Sequence, residues 1–237
     1  MLEESEKEQQ ECRYIKNTEI IELDTESLHH EIEISKTLRQ KLNETKYYYH
    51  FSYIIDKESI NLNEMKQEEI IKCDLPMEKE KQTSYVLCTY TNRPTTSIKL
   101  TDFLMKKATE VDIKIFIKII MDFHITLQES LKGLYNLTNI VHFSINENNI
   151  IVSEEEQIPI IKNFKKAKIM EVDEKIDGTN ETATTWDILS LTKTLLNIIN
   201  KITNIKDETG ILTRYKEKLT KIINEEPSKR IVINLYQ

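Results

Sequence analysis

Glycine is scarce, at 3 of 237 residues, and proline hardly commoner at 4. So few breakers, beside 39% hydrophobic and 31% charged residues, exclude a disordered or low-complexity chain and point to a globular, helix-rich one. The length suits one large domain or two small lobes sharing a core. Cysteine is equally sparse: Cys12, Cys73 and Cys88 are odd in number and far apart. They fit neither a disulfide framework nor zinc-ligand spacing, and read as reduced thiols. No run approaches the roughly 18 to 20 apolar residues of a membrane span. Met1 is followed by L-E-E-S-E-K-E-Q-Q-E, the opposite of a basic signal peptide. An intracellular aqueous compartment, cytoplasm or nucleus, is expected, with no membrane partner. A basic stripe is missing too, since the charges are interspersed and sum to −7, so nucleic acid is not expected as a partner. There is no G-x-S-x-G, H-E-x-x-H or P-loop pattern. His29 and His30 are adjacent, hence splayed on a helix, and His50 and His124 lie in apolar-patterned segments; no metal site is expected.

What is present is a change of pattern along the chain. R-Y-I-K-N-T-E-I-I-E-L alternates like a strand. Leu28, Ile32, Ile34, Leu38 and Leu42 predict a helix over 26–42 with one buried side. Y-Y-Y-H-F-S-Y-I-I (47–55) is aromatic and β-branched and predicts a strand. A Lys/Glu-rich stretch of about 56–82, with a short helix near 63–72, reads as an insertion. S-Y-V-L-C-T-Y-T (84–91) predicts another strand. Helical patterns then take over, from Thr101-Asp102, from Asp112 to Tyr135, from Ile188 to Ile202 and over 211–224. Between the second and third of these, I-V-H-F-S-I-N-E-N-N-I-I-V (140–152) pins a polar loop between apolar runs, and I-P-I-I supplies the second strand of a hairpin. Ile188–Ile202 is apolar around most of its circumference and belongs in the middle of the core.

This order, with the quoted loop, resembles the protein kinase fold. The family's H-R-D-x-x-x-x-N lines up with His142-Phe143-Ser144-Ile145-Asn146-Glu147-Asn148-Asn149, and its D-F-G with Asn163-Phe164-Lys165, 19 residues after Ser144. W-D-I-L-S-L (186–191) is similar to the start of the family's buried central helix, and E-P-S-K-R (226–230) to its late Pro/Arg element. S-Y-V-L-C-T-Y-T resembles the hinge-leading strand, and H-E-I-E-I-S-K-T-L (30–38) the regulatory helix, with Glu31 as the ion-pair glutamate and Lys16 of R-Y-I-K as its strand lysine. The resemblance is specific over about 84–200 and weaker before, and is greatest to kinase-related proteins of giant DNA viruses. It implies an α+β, kinase-like bilobal fold in one structural domain: a reduced N-terminal β lobe (1–91, with the 56–82 insertion) and a mainly helical C-terminal lobe (92–237).

At the positions that carry the family's chemistry, this sequence departs from it. Ser144 stands where an aspartate would act as base, a role worth about 10² to 10⁴ in rate. Asn163 replaces the metal-holding aspartate and brings no charge to a hard cation, and Lys165 replaces the glycine. Asn149 keeps the second metal-ligand position without its partner. Residues 1–15 hold no glycine for a phosphate-covering loop. The segment 163–187 is short and lacks an A-P-E triplet; Thr179, Thr182, Thr184 and Thr185 there are either modification sites or a plain polar loop. Two readings stand for Lys16, a solvated strand lysine or a strut to Glu31. His142 is either a core histidine or the family's support beneath the loop. Asp187 is a helix N-cap or the acceptor for the loop backbone. Arg230 lacks its usual glutamate, for which Glu174 or Glu181 would have to substitute.

The resemblance therefore implies a pseudokinase, not an enzyme, that works as scaffold, decoy or allosteric regulator of a protein partner such as a kinase or its substrate, with no bound ATP or Mg²⁺. The 56–82 stretch and the helix face around Glu31 are the expected partner surfaces. Two alternatives stand beside it. One is nucleotide binding without chemistry, with adenine held near Tyr90. The other is an atypical phosphoryl or nucleotidyl transferase using Glu147, Asp173 or one of Glu154, Glu155 and Glu156.

Overall fold

The computed structural model describes residues 21–22, 26–61, 85–92, 94, 96–171, 174–176, 182–202 and 207–225. Lys16, Asp173, Thr179, Glu181, Arg230, the glycine-free start and most of 56–82 lie outside the described residues. The architecture is α+β, with small antiparallel sheets and five helices among the described residues.

Strand β1 (Ile21–Glu22) precedes helix α1 (Glu26–Leu42). The predicted apolar stripe forms α1's inner face, where Leu28, Ile32, Ile34, Leu38 and Leu42 are all buried. Acidic Glu26 in the first turn and Arg39 and Lys41 in the last complement the helix dipole. The next segment differs from expectation. Residues 47–53 form no strand: Tyr48–His50 is a 3₁₀ turn, with Tyr48 N–H donating to the Thr45 carbonyl and His50 N–H to the Tyr47 carbonyl. Tertiary packing overrides the β propensity of the aromatics, because the Tyr47 ring lies against Gly133, a position with no room for a Cβ. Strand β2 starts only at Ile54 and runs to Asn61, so residues 56–61, read as the beginning of an insertion, belong to the sheet. β2 pairs along its length with β3 (Tyr85–Thr91), which also takes β1, giving the order β1-β3-β2.

Strand β4 (Ser97–Lys99) leads into α2 (Leu100–Glu110) and then α3 (Ile113–Thr138). Asp112 caps α3, its carboxylate accepting from Lys114 and Ile115 N–H, and Asn139 closes it in the left-handed region at φ 57°. After β5 (Ile140–Val141) and the polar loop comes the hairpin β6 (Ile150–Ser153) and β7 (Pro159–Ile161), with β4 on the outer edge of β6. The two apolar runs flanking the polar loop do not pair with one another. β5 pairs instead with β8 (Lys168–Ile169), a strand the sequence pattern does not show. Helix α4 (Ala183–Lys201) buries Leu191, Leu195, Ile198 and Ile199 completely, and α5 (Ile211–Asn224) packs on it through Leu212, Tyr215 and Leu219. Thr182, and not Asp187, is the N-cap of α4, its N–H donating to Thr185 Oγ1 at 3.1 Å.

One hydrophobic core joins Leu38 and Leu42 of α1, Phe51 and Tyr53, the inner faces of α2 to α5 and the β6–β7 hairpin. Residues 50–53 are stitched to both sides of it. Phe51 bridges Ile161 in parallel, Ser52 N–H donates to the Ile161 carbonyl at 2.8 Å and His50 Nδ1 lies 3.1 Å from the Pro159 carbonyl. The Asn92 side chain accepts from Tyr53 N–H and donates to the Phe51 carbonyl. Among the described residues no helix is long and apolar enough to cross a membrane.

Candidate functional site

The polar loop 142–149 leaves β5, returns into β6, and is held from below by α4. His142 is fully buried. Its Nε2 donates to the Lys162 carbonyl at 3.1 Å, while Nδ1 accepts from Ser144 N–H at 3.2 Å. Those partners fix one neutral tautomer, and burial pushes the imidazole down to about 4. The ring stands edge-on to Phe164, centroids 4.7 Å apart. Asp187, buried on α4, accepts from His142 N–H through Oδ2 and from Phe143 N–H through Oδ1 at 3.0 Å. Burial pushes its carboxyl up to about 7, against the two N–H bonds that favour the anion. Phe143 is pinned there at φ 59°, a left-handed conformation uncommon for a bulky side chain.

Around Ser144 the amides close on one another. Asn149 Nδ2 donates to the Ser144 carbonyl at 2.8 Å and to Ser144 Oγ at 3.1 Å. Asn146 Nδ2 donates to the same carbonyl at 2.9 Å. Asn163, at φ 70°, where asparagine is tolerated, donates through Nδ2 to Asn149 Oδ1 at 3.2 Å. The loop backbone is tied to the neighbouring strand by Lys162 N–H donating to the Asn149 carbonyl at 2.9 Å. Among the described residues no cluster of three His, Cys, Asp or Glu side chains is arranged to hold a metal. Around Ser144 a hydroxyl and three amides offer hydrogen bonds but no carboxylate, while the His142 imidazole has both ring nitrogens engaged and Asp187 is turned to the loop backbone.

Helix α1 closes the far side. Buried Glu31 accepts from Phe164 N–H at 2.7 Å through Oε1, and His30 Nε2 lies 2.6 Å from the Ala167 carbonyl. Phe164, fully buried, packs on Phe51 and His142. Thus His142, Ser144, Asn149, Asn163, Asp187 and Glu31, scattered through the sequence, meet around one loop and one short segment. Half-exposed Lys165 follows Phe164 in the turn closed by Ala167 N–H to the Phe164 carbonyl. The acids considered as substitutes that are among the described residues are placed elsewhere. Glu147 pairs with Lys201 on the surface, Glu154, Glu155 and Glu156 are exposed in the β6–β7 turn, and Glu174 Oε2 accepts from Glu171 N–H at 2.9 Å. Sequence reasoning missed the bond from Phe164 to Glu31, the His30 contact, the Asn146 amide and the β5–β8 pair. His30 was legible only as half of an adjacent pair, and a single bond to a backbone carbonyl leaves no spacing signal.

Elsewhere His124 is a core residue, 3.1 Å from Tyr215 Oη and 2.9 Å from Gln128 Nε2, and burial lowers its imidazole to about 4. Comparison with models of known protein families and with curated proteins finds no match to this chain.

Proposed function

We propose that this chain is a catalytically inactive protein of protein-kinase-like, bilobal fold that acts by binding another protein, as scaffold, decoy or allosteric regulator. The observation that carries the reading is the closed amide set at Ser144, Asn149 and Asn163. The three positions at which the resemblance expects a base and two metal ligands are engaged with one another, and none brings a negative charge. A cation bridging phosphates is held chiefly by carboxylates and by the phosphates themselves. The Oδ1 that Asn149 would offer such a cation is already engaged by the Asn163 amide. Meanwhile His142, Asp187 and Glu31 keep the loop and the Phe164 segment in place, so the architecture is maintained where the chemistry is not. A folded protein kept for its surface is the simplest use of such an arrangement.

The test is a thermal-shift titration with ATP, alone and with Mg²⁺ or Mn²⁺, paired with transfer of labelled γ-phosphate to the chain itself or to a generic protein acceptor. A ligand that binds only the folded state must raise its melting temperature. The reading expects no metal-dependent shift and no transfer. A metal-dependent shift with label incorporated would overturn it.

A further inference from the structure

We draw no further inference here: the strongest candidate, the half-buried apolar surface that Phe143, Met170 and Trp186 form next to β8, carries nothing, because nothing in the structure shows what covers it.

Discussion

Asn163 Nδ2 donates to Asn149 Oδ1 across 3.2 Å, so the two amides bind each other in the space between the loop and the Phe164 segment. Asn149 cannot turn its amide over without losing the two bonds its Nδ2 makes to Ser144. The pair is therefore fixed in one direction, with Asn163 as donor.

Asn163→Asp replaces that donor with a second acceptor facing Asn149 Oδ1. The change should cost about 1 to 3 kcal/mol, lowering the melting temperature by about 2 to 4 °C per kcal/mol for a chain of this size. Millimolar Mg²⁺ should recover part of the loss in the variant and do nothing for the parent. Calorimetry with and without the cation checks both halves.

Glu31→Ala leaves the buried Phe164 N–H without the Oε1 acceptor it has at 2.7 Å. Destabilisation of about 1 to 3 kcal/mol is expected, with faster hydrogen exchange concentrated at Phe164 and Ala167. Uniformly faster exchange across α4 and α5 as well would mean that Glu31 supports the whole fold and not this segment.

Three buried titrating groups set opposing pH dependences. His142 and His124 fall from 6.5 to about 4 on burial. Their contribution is present above pH 6.5 and lost as pH falls through about 4. Asp187 rises from 3.8 to about 7, so its contribution is present below pH 3.8 and lost as pH rises through about 7. Two groups oppose one, and the melting temperature should fall between pH 7 and pH 4. Asp187→Asn removes the opposing contribution and should fall more steeply over that range; His124→Gln should fall less steeply. Melting curves at half-unit pH steps decide it.

Gly133→Ala inverts a usual rule. Alanine in a helix interior normally gains about 1 kcal/mol over glycine, but here its Cβ would stand 2.4 Å from the Tyr47 ring. Net destabilisation is expected, and in the Tyr47→Ala background the same substitution should stabilise. A double-mutant cycle by urea unfolding reads the sign change.

The helices were legible because each buries a stripe. Leu28 to Leu42 gave α1 its full span, and Asp112 marked the start of α3. Strands were legible only where several residues alternate. Lys168 and Ile169 are both exposed, so β8 has no alternation to read, and in 47–53 the turn around Thr45 prevails over aromatic propensity. The site divides the same way. Its residue positions followed from the family resemblance, since residues 142, 149, 163 and 187 are too far apart to signal one another. The bonds of Asp187 and His142 to the loop backbone were among the readings the resemblance offered; the bonding of Asn149 and Asn163 to each other was not, because Asn163 takes a positive φ that side-chain identity alone does not announce. Asp187 shows the limit well: an acid early in a helix fits a cap as readily as an acceptor for a distant loop, and only the placement of Thr182 at the helix start separates the two.

The stitching of residues 50–53 also has a consequence for taking the molecule apart. A cut between residues 92 and 96 would leave Asn92 clamping Phe51 and Tyr53 in the first fragment, while the carbonyl that receives Ser52 N–H stays with Ile161 in the second. Each piece would keep its own half of the seam and display it to water, so neither is a suitable stand-alone expression product. Co-produced, the two pieces should find one another again, which makes 92–96 the natural place to divide this chain into a complementing split pair.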